Sequence, residues 1–252
     1  MNDKALIEHQ FGAASATYDS NAVVQADIAA RLAAMLESRL ARRATVLEVG
    51  CGTGLLSAAL IVSRQPARYY LNDISAAMLD VAVAKCRAAG AGCDMVALKA
   101  DAEHAPWPEA DAVVSASAVQ WFDSGRTFVS KAAGSLRRGG IMAVATFGPD
   151  NYREIRTLTG RGLHYPTPDD WRAWTDSLFD LEELDTQRVT LGFGTVRQMM
   201  RHMRATGVNA LPAGPMGMTE ARRFAEGCER LRRADGTLPL TYNPLYIVAR
   251  RL

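Results

Sequence analysis

Histidine and cysteine are sparse in this chain, and neither occurs in a pattern that holds a metal. The four histidines, His9, His104, His164 and His202, are dispersed, so no His/acid dyad for proton transfer is visible. The four cysteines, Cys51, Cys86, Cys93 and Cys228, show neither a CxxC pair nor Cys/His ligand spacing. That argues against a zinc framework and leaves reduced thiols as the expectation. Long apolar runs are missing too, since no window reaches the roughly 18 residues a membrane-spanning helix requires. The first six residues, Met1 to Leu6, carry no apolar signal core. A soluble protein of the cytoplasm, without metal or membrane attachment, is expected. Internal repeats and low-complexity linkers are also absent, which favours one domain over residues 1–252.

Lysine is absent after Val196, and charge is unevenly spread. The last stretch, from Arg197 to Leu252, holds 10 arginines and 4 acids, whereas the preceding part holds 19 basic and 23 acidic residues. A basic quarter on a mildly acidic body suits either an acidic partner or a solvated helix face. The quarter has few aromatics, which argues against nucleic-acid binding.

What the chain does have is 48% apolar content, enough for one sizeable core. Ala5–Ala14 and Val23–Leu40 have helical spacing, separated by the polar break Thr17-Tyr18-Asp19-Ser20-Asn21. Strands are then expected at Thr45–Val49, Tyr69–Leu71, Asp94–Leu98, Ala112–Ser115 and Gly140–Phe147. Helices alternate with them at Leu55–Ser63, Ala76–Ala88 and about Gly125–Leu136. This alternation is the mark of a parallel sheet covered on both faces, an α/β fold. Its strand C-termini share one edge, where ligands bind. Further on, the pattern suggests a helix at Asp169–Leu178 and a strand at Leu181–Leu191. Helices at Val196–Ala205 and Thr219–Arg233 and a final strand at Leu238–Arg250 complete the chain. The helix pair is expected to sit as a lid.

The loop Glu48-Val49-Gly50-Cys51-Gly52-Thr53-Gly54 lies between a strand and a helix, as a nucleotide-binding turn must. Its glycines permit a tight turn and close backbone approach to a ligand. No Lys-Ser/Thr follows, so a phosphate-cradling P-loop is excluded. The helix N-terminus favours a carboxylate such as that of a bound amino acid. Asp73 ends the second strand, where an acid can accept bonds from ribose hydroxyls. Asp101 follows the third strand and can accept from an adenine amino group.

These segments, with Asn72-Asp73-Ile74-Ser75 and Asp101-Ala102-Glu103, resemble the cofactor motifs of the class I methyltransferases over roughly residues 44–146. The resemblance implies a Rossmann-like sheet, mostly parallel with an antiparallel last strand, and S-adenosylmethionine as cofactor. It implies cofactor contacts at Glu48, Gly50, Cys51, Gly52, Asp73, Ile74, Asp101, Ala102 and Ser117. Met78 either packs on the adenine or belongs to the core. The implied divisions are an N-terminal helical arm at 1–43, a cofactor core at 44–148 and a helical lid at 195–237.

Further segments are similar to the malonyl-acyl-carrier-protein methyltransferases of biotin synthesis. They are Phe11 to Asp19, Ala118-Val119-Gln120-Trp121, Met203 to Val208, and Leu238 to Asn243. Arg204 stands where that family has Lys, and Ala116 where Asn is common. The resemblance implies methylation of the free carboxylate of a malonyl thioester on acyl carrier protein or CoA, with the basic lid as docking surface. The rival within the fold is a small-acid carboxyl methyltransferase acting on aconitate-like acids. A carboxylate is ionised at neutral pH and needs no general base, in keeping with the scattered histidines. Arg204 is the candidate to grip the malonyl carboxylate, or else an exposed lid arginine. Tyr18 either closes the arm over the site or caps an apolar corner. Gln120 could reach the substrate, while Trp121 packs beneath it. Tyr242 and Asn243 fall on the last strand.

Overall fold

The computed structural model describes residues 3–90, 92–206 and 217–252. Three helices open the chain: α1 (Lys4–Ala14), α2 (Tyr18–Asn21) and α3 (Val23–Leu36). The polar break expected at 17–21 thus contains one short helix. Strands and helices then alternate as β1 (Thr45–Val49), α4 (Leu55–Arg64), β2 (Arg68–Asp73), α5 (Ala76–Ala88), β3 (Asp94–Lys99) and β4 (Ala110–Ala116). After a single 3-10 turn at Val119–Trp121 come α6 (Gly125–Ser135), β5 (Leu136–Phe147), α7 (Arg153–Thr159) and α8 (Pro168–Thr175). The remainder is β6 (Phe179–Thr186), β7 (Val189–Phe193), α9 (Val196–Ala205), α10 (Met218–Arg230), β8 (Leu238–Tyr242) and β9 (Pro244–Arg251).

Seven strands form one sheet in the order β3-β2-β1-β4-β5-β9-β6. Strands β1 to β5 pair in parallel, and β9 runs antiparallel to both its neighbours. The central strands are near-continuous apolar runs because helices cover both faces. Ile141 to Ala145 and Leu245 to Ala249 are all buried. One core lies under α3, α4 and α5, and a second lies under α6 and α8 around Phe128 and Trp171. Side-chain caps fix several helix starts, including Ser75 on α5 and the Thr195/Gln198 capping box on α9. No described helix is long and apolar enough to cross a membrane.

Two expected strands are each divided. The run 181–191 spans β6 and β7, and the run 238–250 spans β8 and β9; β7 pairs with β8 in a separate two-stranded sheet. Both divisions fall at one corner around Asn243. Its carbonyl accepts from Gly148 N at 2.8 Å, and its side-chain amide donates to Gln187 O at 2.7 Å. These bonds turn the chain out of the main sheet, a tertiary effect that an alternating strand pattern does not encode. Helix α7, unanticipated, starts after Tyr152 in a left-handed conformation and stops at Gly160 with φ +66°.

Candidate active site

A cleft of about 910 Å³, its mouth included, opens at the C-terminal ends of β1 to β4. Its floor is the glycine turn. Gly50, Gly52 and Gly54 have φ of +67°, +54° and +81°, values that only glycine adopts without cost. A Cβ on Gly50 would sit 2.3 Å from Ala118 Cβ, and one on Gly54 about 3.0 Å from Ala82 Cα. A Cβ on Gly52 meets nothing within 4 Å. The first and third glycines therefore serve packing, whereas the second borders open space.

Asp73 ties this turn to the next strand. Gly52 N donates to its Oδ2 and Ser75 N to its Oδ1, both at 2.8 Å. Burial pushes the Asp73 carboxyl up, and the backbone donors from Ser75 and Gly52 pull it back. Each oxygen keeps a lone pair, and the residue lines the cleft. Glu48 lies beneath the turn at 1% exposure, accepting from Ser57 Oγ and, at 2.7 Å, from the Tyr69 hydroxyl. Burial raises its pKa to about 7 despite these two donors. Cys51 also lines the cleft. Burial first, then the negative charges of Asp73 and Glu48, hold its thiol well above the ordinary range.

Asp101 sits at the rim after β3. Partial burial acts to raise its pKa, but donors outweigh it and leave it lowered. Glu103 N donates at 3.0 Å, and His104 Nδ1 lies 2.7 Å from Oδ2. His104, given no role from sequence, thus orients this acid. Trp107 donates its indole N–H to Ala102 O at 2.8 Å and steadies the neighbouring wall.

The N-terminal arm closes the cleft from above. Lys4, Ile7, Phe11 and Tyr18 all line it. Lys4 Nζ bridges Glu103 Oε2 at 2.9 Å and Trp121 O at 2.7 Å. Glu8 pairs with Lys99 at 3.0 Å, and Asp19 pairs with Lys85 at 2.5 Å. Phe11 meets Trp121 edge-on, with centroids 5.7 Å apart. Tyr18, Ala22 and Met78 form a small buried cluster, so Met78 is both core and cleft wall. Burial raises the Tyr18 pKa, with Tyr242, Asp73 and Asp19 adding to the rise. Its hydroxyl stays protonated and able to donate.

The cleft thus gathers Tyr18, Glu48, Gly50, Cys51, Gly52, Asp73, Ile74, Met78, Asp101, Ala102 and Ser117. It does not include two of the expected residues. Gln120 faces backward: its Nε2 donates to Ser117 O at 2.6 Å, and its Oε1 accepts from Thr146 Oγ1 at 3.3 Å. It braces Ser117, whose φ of +57° is left-handed for a non-glycine residue. Arg204 is exposed on α9, because Met199, Met200 and Met203 take that helix's buried face. Tyr242 is buried in β8 with its hydroxyl 2.7 Å from His202 Nε2. Of the stretch 203–208, residues 207 and 208 lie outside the described residues. Sequence reasoning missed Gln25, a cleft residue on α3; the signal was a lone amide among the inward-facing Val24, Ile28 and Leu32.

Comparison with known proteins agrees with this geometry. The methyltransferase domain family matches residues 47–144. The malonyl-acyl-carrier-protein O-methyltransferase of Haemophilus influenzae is 33% identical, over 98% of this chain and 95% of its own. That of Porphyromonas gingivalis is 34% identical, over 98% and 96%. The chain belongs to this family of methyltransferases. Among solved structures, the YcgJ protein of Bacillus subtilis superposes with a TM-score of 0.63 at 15% identity, over 87% of this chain and 97% of that one. The magnesium protoporphyrin IX methyltransferase of Synechocystis does so with 0.55 at 15%, over 90% and 82%. At such identities these two speak for the fold, a class I methyltransferase sheet with β9 as its one antiparallel strand.

Proposed function

We propose that this chain transfers the methyl group of S-adenosylmethionine to the free carboxylate of a malonyl thioester carried by acyl carrier protein, giving the methyl ester that starts pimeloyl synthesis for biotin. The observation that carries the reading is the end-to-end match to malonyl-acyl-carrier-protein methyltransferases around a cleft built for a nucleoside-linked amino acid. The residues fit that cofactor. Gly52 leaves open room, Asp73 and Asp101 offer acceptors for ribose and adenine, and α4 presents its N-terminus beside the turn. Two buried polar atoms of the cleft, Gln25 Oε1 and Ser117 Oγ, have no partner among the described residues, as expected of groups reserved for a ligand.

When bound, the cofactor supplies a methyl carbon on a positively charged sulfur, which the carboxylate oxygen displaces as a neutral thioether. The protein's task is alignment and exclusion of water, and positioning of this kind contributes up to roughly 7–11 kcal/mol. Gly50 and Gly52 fix one partner through main chain, while Phe11, Trp121 and Ile7 keep the cleft dry. The protonated Tyr18 hydroxyl donates to the incoming carboxylate. Unlike a tight ion pair, a neutral donor orients the oxygens without quenching the attacking lone pair. No base is required.

Arg204 then belongs to docking rather than to the malonyl grip. Arg197, Arg201 and Arg204 recur at the helical spacing that places them on one exposed face of α9. Among the described residues no ion pair engages them, whereas Arg222 and Arg232 are held by Glu226 and Glu229. An acidic carrier protein meeting this stripe is steered toward the cleft; the helical lid expected at 195–237 corresponds to α9 and α10, which pack beside the cleft on α2, α7, β7 and β8. The cytoplasm, where such carriers work, is the compartment this reading requires. The aconitate-like alternative gains no support: among the described residues Lys4 is the one basic side chain in the cleft lining, while a tricarboxylate needs several cations. The test is an assay of the purified protein on malonyl-carrier, malonyl-CoA and aconitate. Methyl ester should form fastest on malonyl-carrier, and turnover on aconitate alone would overturn the assignment.

A further inference from the structure

We propose that Gln25 is a binding residue for the amino-acid end of the cofactor, an inference that rests on the S-adenosylmethionine reading above. The argument starts from α3. Its inner face packs Val24, Ile28, Leu32 and Leu36 into the core, each at 2% exposure or less. Gln25 shares that burial, at 4%. A buried amide with an unsatisfied group is less stable than a satisfied one, and an apolar side chain would fill the position without that cost. Its Oε1 nevertheless has no partner among the described residues, and the side chain lines the cleft. A polar group kept buried at a cost, and facing a cavity, is fitted to something that enters the cavity.

Sheet order identifies which part of the ligand that is. The cleft runs across the strands in the order β3, β2, β1, β4. Asp101 follows β3, Asp73 ends β2, the glycine turn follows β1 and Ser117 follows β4. A ligand with its base at Asp101 and its ribose at Asp73 puts its remaining end at the turn and at Ser117. Helix α3 packs against α4, β4 and β5, so Gln25 enters the cleft from the β4 side. That is the end with the second orphaned atom, Ser117 Oγ. A free α-ammonium and α-carboxylate form a zwitterion, and a carboxamide offers an acceptor and a donor on one planar fork. Gln25 matches both charges, whereas the neutral base and sugar are already matched elsewhere. Glu48, in the same wall, offers a carboxyl oxygen to the ammonium, and the cation's charge favours its ionised form.

Calorimetric titration of two ligands provides the test. S-adenosylhomocysteine carries the amino-acid end, and 5′-methylthioadenosine lacks it. Gln25→Leu should lower affinity for S-adenosylhomocysteine by roughly 10- to 100-fold, the equivalent of one or two hydrogen bonds to charged groups. Affinity for 5′-methylthioadenosine should stay within about twofold, since no contact to it is lost. Gln25→Met, unbranched like glutamine, repeats the measurement should the leucine variant fold poorly. Unchanged binding of S-adenosylhomocysteine overturns the proposal. Equal loss for both ligands also overturns it, by making Gln25 a packing residue. A loss confined to the KM for the malonyl substrate assigns Gln25 to the acceptor instead. Failure of the unsubstituted protein to bind S-adenosylhomocysteine is a separate result, and it strikes the cofactor reading itself.

Discussion

At the β1–β2 side of the cleft the proposed recognition groups are main-chain amides and an acid tied to them, whereas the docking face proposed on α9 consists of long side chains on a helix surface. Gly52 N and Ser75 N both end on Asp73, so turn, strand and acid form one hydrogen-bonded unit. Arg197, Arg201 and Arg204 share only the helix that carries them. The first arrangement has one solution and tolerates little change. The second can lose or move a charge and still attract an acidic partner. A pre-organised backbone site suits a ligand that is always the same, and an exposed charged stripe suits a protein that docks and leaves.

The sharpest way to break this contrast is the glycine pair. Gly50→Ala forces a Cβ to 2.3 Å from Ala118 Cβ, an overlap of about 1–3 kcal/mol or more, added to left-handed strain. Cofactor affinity should fall by more than about 100-fold, with a lower melting temperature. Gly52→Ala should lose affinity by at least about tenfold while melting only a few degrees below the parent, because its Cβ meets no protein atom and left-handed strain of about 1–2 kcal/mol is the only structural cost. Normal binding by Gly52→Ala would show that the turn does not cradle the ligand. Next in size, Asp73→Asn keeps the shape but removes the charge. Affinity for S-adenosylhomocysteine should drop roughly 10- to 100-fold, measurable by calorimetry.

Glu48 gives a pH signature of the same rigid side. Its pKa of about 7 lies above its ordinary 4.5, so the fold favours the protonated acid. That contribution is fully present below pH 4.5 and is lost as pH rises through 7. The unliganded protein should therefore lose about 1–3 kcal/mol over this interval relative to Glu48→Gln. Urea midpoints of both proteins at pH 4.5, 6 and 8 check it, and parallel curves would contradict the burial argument. The smallest effect belongs to the other side. Arg201→Glu with Arg204→Glu should raise the KM for malonyl-carrier about tenfold at low salt. The KM for malonyl-CoA should stay unchanged, and the difference should shrink as salt is added.

The sequence made the rigid side legible because its constraints are local. The boundaries of β1, α5 and α9 agree with expectation to the residue, since period, caps and glycines lie within each segment. Asp73 and Asp101 were found by their offsets from the turn. The corner at Asn243 was not, because β8 and β9 continue one alternating pattern and only contacts with Gly148 and Gln187 part them. The resemblance puts Gln120 near the substrate, and the forked guanidinium makes Arg204 a candidate grip, but neither fixes an orientation. Which way each faces depends on what else needs the inner side: Ser117 needs a brace, and the methionines of α9 fill the core. Gln25 escaped notice because a single polar residue in an apolar helix acquires meaning only when the cavity beside it is seen.

Cys51 gives the cleft a nucleophile of its own, placed in the very loop proposed to hold an alkylating agent. A thiolate there would compete with every substrate and end in a methylated, dead enzyme. The sulfur is spared by its protonation state: lack of solvent and the charges of Asp73 and Glu48 keep the proton on, and a neutral thiol reacts far more slowly than its anion. The same two acids that organise the turn thereby act as its chemical insulation. Slow methylation of this thiol is therefore the expected outcome, checked by intact mass after prolonged incubation with S-adenosylmethionine.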